Sequence, residues 1–360
     1  YAATRKPVIV QHGLFGASTD FMINSPHLFG VNGSATCDNF AFALLLTGKY
    51  DVWLGNTRGN EYSQQHARFA KNHRTGQMDR HEYWNFSFDQ IAAYDLPAVI
   101  AKVRSVTGHP TVAYIGYSQG TTAMFALLAS RPEYGAIIRP FIAWAPVVYM
   151  RHITSPFRYL APIATMLRSI GDQFAPSSSS LLSTLSQPLC KLPAFTSACT
   201  NALFLFGGYD ADRLNHTRLP VYFHFTPATV STWQVVHYLQ LMSDGAGRFR
   251  RFDHESAEAN RARYGRAEPP TYRLRSIPAN LTIVLVRSRN DYLSSIPDTD
   301  RLIQELRARG GSDSDRSEAA EKVFDYLVSE PMWTHLDFIL GSEAGRLVYK
   351  PTIEYLDRFA

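Results

Sequence analysis

This sequence predicts an α/β fold: a mostly parallel sheet covered by crossover helices, with a second, mainly helical segment inserted ahead of the last strands. Three observations carry that expectation. Short β-branched and aromatic runs alternate with helical stretches from Pro7 to Tyr149. One such run, residues 111–115 (TVAYI), passes at once into Gly116-Tyr117-Ser118-Gln119-Gly120 and then into a small-residue, apolar helical run. From about His152 the rhythm breaks, and it resumes only at residues 281–286 (LTIVLV).

The totals agree with a large buried core. The chain has 360 residues, of which 45% are hydrophobic and 19% charged, so it is not a disordered tract. No apolar run approaches the ~20 residues that cross a bilayer. The net charge of +5 is modest and its basic residues are scattered. That is a weak bias toward anionic surfaces and no sign of a nucleic-acid partner. A chain opening at Tyr1, with neither Met nor signal peptide, is expected to be processed or part of a longer product.

Taken in order, residues 7–11 (PVIVQ) read as a strand running into His12-Gly13-Leu14-Phe15-Gly16. Residues 40–46 (FAFALLL) read as a buried helix. Residues 50–54 (YDVWL) form the next strand, closed by the loop Gly55-Asn56-Thr57-Arg58-Gly59-Asn60. Residues 88–106 have helical periodicity, interrupted at Pro97. The strand at 111–115 and the helix at 121–128 flank Ser118, and residues 141–149 (FIAWAPVVY) read as a further strand. Between His152 and Tyr272, prolines, the serine run 177–180 and exposed-looking aromatics suggest a cap. Within it Leu181, Leu182, Leu185 and Leu189 fit one apolar helical face, flanked by proline and serine as a hinged lid would be. Residues 309–321 read as a solvated loop or helix start, and residues 349–359 as a terminal helix. The expected division is core over residues 1–151, cap over 152–272 and core again over 273–360.

The chemistry is read from the serine. A G-x-S-x-G between strand and helix lifts its hydroxyl out of a strained turn, and glycines are needed because a Cβ at Gly116 or Gly120 would strike the neighbouring strand or helix. A serine hydroxyl is a poor nucleophile until a histidine takes its proton and an acid orients that histidine. In the α/β-hydrolase arrangement the chain order is serine, acid, histidine. Asp291, just past the late strand, is the expected acid, with Asp298 and Asp300 as competitors deeper in a helical stretch. His335 is the expected base, since no other histidine follows His254. The oxyanion donors are assigned to the backbone N–H groups of Leu14, in the His-Gly loop, and Gln119, after the nucleophile. This chemistry calls for no cofactor and no metal ion.

Cys190 and Cys199 are close enough in sequence to staple one local loop, with Cys37 left over. Sequons stand at Asn32, Asn85, Asn215 and Asn280. Together they favour the secretory pathway.

The strings HGLFGAS, DNFAFALLLTGKYDVWLGNTRGN, NFSFDQIAAYDLPA, GYSQGTT, CTNALFLFGGYD and THLDFILG together resemble the acid lipases, the gastric and lysosomal type of α/β-hydrolase. The resemblance runs from about Val8 to Ile339. It implies hydrolysis of acylglycerols or cholesteryl esters at a lipid–water interface by a secreted or lysosomal protein, with Ser118, Asp291 and His335 on the triad positions. It also implies a disulfide between Cys190 and Cys199, and further sheet strands before Val8 that this sequence does not contain. Two departures stand out: Tyr117 where the family usually has histidine, and Ser288-Arg289-Asn290 ahead of the acid where it has a Gly-Gly-Lys run. Two other readings keep the same triad. One is a lipase-like subunit serving an assembly with little turnover, and the other is a soluble small-ester or peptide hydrolase.

Overall fold

The computed structural model describes residues 5–27, 29–31, 34–67, 80–174, 207–210 and 213–360. The four leucines of the expected lid, Cys190, Cys199 and Asn32 lie outside them.

Six strands form one sheet: β1 (Lys6–Gln11), β2 (Tyr50–Gly55), β3 (Val112–Tyr117), β4 (Ile138–Trp144), β5 (Ile283–Arg287) and β6 (Val323–Leu327). Their order is β6-β5-β4-β3-β1-β2, and every pairing is parallel. Val10 faces Ile115, Ile115 faces Ile142, and Ile142 faces Val284 across the ladder. Strands buried on both faces must be apolar at nearly every position, which is why β1, β3 and β5 carry the uninterrupted apolar runs VIV, VAYI and IVLV. Alternate side chains enter two cores. Ile9, Tyr114, Phe141 and Leu285 point to one, and Val10, Ile115, Ile142 and Val286 to the other.

The first core is closed by α2 (Leu96–Thr107) and α3 (Gln119–Ser130). α3 is buried from Gln119 to Leu128, so it is enclosed on every side rather than along one stripe. Each of Met124, Phe125, Leu127 and Leu128 stabilises the fold by roughly 1.5–3 kcal/mol through removal from water. The second core is closed by α1 (Phe40–Leu46) and a C-terminal helix. A third cluster, Val230, Val235, Val236, Leu239 and Phe252 with Ala164 and Leu167, packs Leu14 and Phe15 against Phe157, Leu160 and Phe174. Val235, Val236 and Leu239 lie on α4 (Thr232–Ser243).

Several expectations need correction. α1 is not a buried helix: Phe40, Ala43 and Leu44 face the core, but Phe42, Leu45 and Leu46 are 46%, 58% and 45% exposed. Pro97 does not interrupt its helix. It occupies the first turn of α2, where a missing N–H breaks no bond, and a wider π turn at Ile91–Asp95 joins α2 to Phe88–Gln90. The strand expected at 141–149 ends at Trp144, because Ala145 takes a left-handed φ of 44°. Of the two readings of residues 309–321, loop or helix start, the helix start is the one that forms. α6 (Asp313–Glu321), which follows α5 (Ile296–Arg307), opens on a capping box between Ser312 and Asp315. Arg309 is fully buried, donating to the carbonyls of Leu306 and Leu281. The edge strand β6 has no counterpart in the sequence reading, since VFDYL mixes polar and apolar residues without clean alternation.

Candidate active site

The strand order reverses between β1 and β3: from β1 the chain goes outward to β2, then returns to lay β3 on the other side. In open parallel sheets the crevice at such a reversal, beyond the carboxyl ends of the strands, is where ligands bind. β1 runs there into His12-Gly13-Leu14, and β3 runs into Ser118.

Ser118 has φ 51° and ψ −115°, a strained turn for a residue with a Cβ. The turn is held by Ser118 N–H donating to the Trp144 carbonyl at 3.0 Å and by Thr121 N–H donating to the Ser118 carbonyl at 2.8 Å. The glycine requirement is steric. A Cβ at Gly116 would stand 2.8 Å from the Gly120 carbonyl carbon, and one at Gly120 would stand 2.6 Å from the Gln11 carbonyl oxygen. Helix α3 therefore starts hard against β1.

Ser118, Asp291 and His335 come together although they are far apart in the chain. His335 Nε2 is 2.9 Å from Ser118 Oγ, and its Nδ1 is 2.8 Å from Asp291 Oδ2. All three are buried. The carboxylate accepts, so Nδ1 carries the proton and Nε2 accepts from the serine hydroxyl. The other oxygen of Asp291 accepts from the N–H groups of Leu293 and Ser294, at 2.8 and 2.7 Å, which leaves the carboxylate one orientation. The competing acids are elsewhere. Asp298 lies in the first turn of α5, where it accepts from the Ser295 hydroxyl at 2.9 Å and holds the N–H and Nδ1 of His152 at 2.8 and 2.9 Å. Asp300 pairs with Arg287. Among the described residues no group of His, Cys, Asp and Glu side chains could hold a metal ion.

Gln119 follows the serine as the first residue of α3, where helix N–H groups have no intrahelical partner, and Gly13, the residue before Leu14, approaches so closely that a Cβ on it would stand 3.0 Å from the Ser118 Cβ. His12 is buried and its Nδ1 is 2.8 Å from the Gly13 carbonyl, while its Nε2 accepts from Thr57 N–H at 3.1 Å. Burial lowers its pKa to about 4, against a smaller raising effect of the Gly13 carbonyl, so the ring is a neutral strut. The loop after β2 supports the same turn, with Asn56 Oδ1 accepting from Ser18 N–H at 2.9 Å. That loop is itself pinned by Arg58 to Asp95, Nε to Oδ1 at 2.8 Å. The GNTRGN and YDLPA strings thus meet each other and steady the His-Gly loop.

Sequence reasoning missed several supports. Asp20, beside this loop, is wholly buried, and desolvation pushes its pKa up to about 8, with the Ala17 N–H lowering it and Glu61 raising it further. Asp337 accepts from Thr334 N–H at 2.7 Å next to His335, and burial pushes it up to about 7. Asn290 Nδ2 donates to the carbonyls of Tyr209 and Met332, at 3.0 and 2.9 Å. The Gly207 carbonyl accepts from His335 N–H at 3.1 Å. Spacing in sequence carries no signal of such contacts; only the position of Asn290 beside Asp291 singled it out. Cys37 is buried, its thiol donating to the Asn39 carbonyl. Asn85 and Asn280 are exposed, whereas Asn215 is half-buried and accepts from Thr217.

A parallel sheet, a serine on a strained strand-to-helix turn at its reversal point, and an acid-held histidine within reach define an α/β-hydrolase. Residues 6–134 match the sequence profile of the alpha/beta hydrolase fold. Gastric triacylglycerol lipase of Bos taurus is 32% identical over 354 residues, covering 98% of this chain and 80% of that protein. Lipase lipl-1 of Caenorhabditis elegans is likewise 32% identical over 360 residues, covering 97% and 80%. The chain belongs to the acid lipase family that includes these proteins, a family of carboxylic ester hydrolases. A solved structure of a soluble variant of monoglyceride lipase from Saccharomyces cerevisiae shares the fold at a TM-score of 0.52 with 11% identity, covering 99% of this chain and 88% of that one. No helix among the described residues is long and apolar enough to cross a membrane.

Proposed function

We propose that this protein hydrolyses lipid carboxylic esters, acylglycerols or cholesteryl esters, through an acyl-enzyme intermediate. The observation that carries the reading is the chain of hydrogen bonds from Ser118 Oγ through His335 to Asp291. Ser118 Oγ attacks the ester carbonyl while His335 Nε2 takes its proton, and Asp291 holds Nδ1–H and stabilises the imidazolium. The carbonyl oxygen becomes negative beside the N–H groups of Leu14 and Gln119. As the tetrahedral species collapses, His335 gives its proton to the departing alcohol oxygen. Water then repeats the sequence on the acyl-serine, losing a proton to His335, and the acid leaves as Ser118 regains its own.

Residues 152–272 act as a cap over this site, and their composition supports a long acyl chain. Phe157 and Phe174 lie 6.3 and 5.8 Å from Phe15, next to the oxyanion residue Leu14. Triad chemistry is indifferent to the acyl group, so the apolar wall selects it. The relatives support a secreted or lysosomal setting, in which Asn85 and Asn280 are accessible for glycosylation.

The test is turnover of emulsified long-chain triacylglycerol and cholesteryl ester by the purified chain beside Ser118→Ala. Hydrolysis abolished by the substitution is the expected result. Turnover of soluble short-chain esters alone would leave a small-ester hydrolase, and none by the parent chain would leave a binding subunit.

A further inference from the structure

His335 lies on a loop beyond the edge strand β6, without a helix or strand of its own to hold it. Its backbone is gripped at both ends. The N–H donates to the Gly207 carbonyl at 3.1 Å, and the carbonyl accepts from the Tyr117 hydroxyl at 2.9 Å. Tyr117 is the last residue of β3, directly before Ser118, and is buried. Its ring centroid is 5.2 Å from that of His335. The other side of the site touches it too, for a Cβ placed on Gly13 would come 3.1 Å from the Tyr117 ring. One side chain therefore meets the nucleophile turn, the His-Gly loop and the histidine loop.

We infer that Tyr117 is a positioning residue for the hydrolysis proposed above: its hydroxyl, by holding the His335 carbonyl, keeps Nε2 within hydrogen-bond reach of Ser118 Oγ. A carbonyl can only accept, so the hydroxyl must donate. Burial, and then the carboxylates of Asp291, Asp20 and Asp337, push the phenol well above its ordinary range, so the proton stays in place. Tyr117 transfers no proton and touches no substrate; it acts through the histidine. A general base misplaced by about 1 Å costs on the order of a hundredfold, and loss of one of two backbone anchors is expected to cost part of that. The inference rests on Ser118 and His335 being nucleophile and base.

Tyr117→Phe removes the hydroxyl and keeps the ring. With a soluble short-chain ester, kcat should fall about tenfold while KM stays within about twofold, since ground-state binding is untouched. In the His335→Ala background the same substitution should cost nothing further in the rate of Ser118 phosphonylation by a fluorophosphonate, because the residue it acts through is gone. A general packing defect would lower both backgrounds alike. Tyr117→His, whose ring nitrogens sit too near the backbone to reach the His335 carbonyl, should lose kcat to the same degree, and it serves if Tyr117→Phe does not fold. Parental kcat in either folded variant, or an equal loss with and without His335, overturns the inference. If instead Ser118→Ala keeps turnover, it is the reading of the site that fails.

Discussion

The two halves of the site are built by different physics. Ser118 stands at the centre of the sheet, where β1, β3 and α3 approach so closely that Gly116 and Gly120 admit no side chain. Nothing there can move without overlapping backbone. His335 and Asp291 stand beyond the ends of the two outermost strands on that side, β6 and β5. They are held by separate hydrogen bonds: His335 N–H to the Gly207 carbonyl, the Tyr117 hydroxyl to the His335 carbonyl, and the Leu293 and Ser294 N–H groups to Asp291, while Asn290 ties the adjoining loop to the Tyr209 and Met332 carbonyls. Each such bond contributes only about 0.5–1.5 kcal/mol net. The comparison teaches that the serine is placed by steric exclusion over a few residues, and the histidine and carboxylate by many weak contacts between distant ones.

The sharpest way to break the comparison is to remove the groups it places. Ser118→Ala and His335→Ala should each lower kcat by about 10⁴-fold or more, and Asp291→Asn nearly as much by permitting the wrong tautomer. Steady-state kinetics with a soluble ester checks this. An Asp298→Asn enzyme should keep kcat within about twofold, since that carboxyl holds Ser295 and His152 rather than His335.

Gly120→Ala separates the halves next. Its methyl would enter the space 2.6 Å from the Gln11 carbonyl, and backbone cannot yield as a side chain can. A loss of about 2–3 kcal/mol or more in stability is expected, read by denaturant unfolding. On the other half, Asn290→Ala removes two donors from a half-exposed junction. It should cost only about 1 kcal/mol, yet lower kcat about three- to tenfold by loosening the Asp291 and His335 loops against each other. An Asn290→Ala enzyme with parental kcat would show that the other contacts suffice.

The smallest effect is on pH. His12 is lowered to about 4, so between pH 4 and 6.5 the unfolded chain binds more protons there and stability rises with pH. Asp20, Asp38 and Asp337 are raised to about 8, 7 and 7, so the folded chain holds their protons longer and stability falls as pH climbs from about 4 toward 8. Below pH 6.5 the two trends oppose each other. Above it the acids act alone, so the melting temperature should drop between pH 6.5 and 8. Asp20→Asn should flatten that drop, and a scan that stays level in the parent would contradict it.

The same contrast governs what could be read in advance. β1, β2, β3, α3 and the elbow were legible because their cause is local: an apolar run of strand length, or two glycines around a serine. Ser118, Asp291 and His335 could be named by chain order alone. Elements whose cause is distant were misread. α1 looks buried by composition, yet one of its faces meets no described partner. Arg309 looks solvated, yet its guanidinium is buried against the Leu306 and Leu281 carbonyls. β6 is a strand because β5 offers it an edge, not because VFDYL demands one.

By itself, then, the sequence determined the fold class and the strained turn, because each is encoded within a few neighbouring positions, and chain order pointed to Ser118, Asp291 and His335; the structure set Asp298 and Asp300 apart from them. Tertiary structure alone decided that Tyr117 and Gly207 grip the histidine backbone, that Asn290 joins two loops, and that Asp20 and Asp337 are buried. Those contacts join residues far apart in the chain, and their energies depend on distances of a few tenths of an ångström that no local pattern specifies.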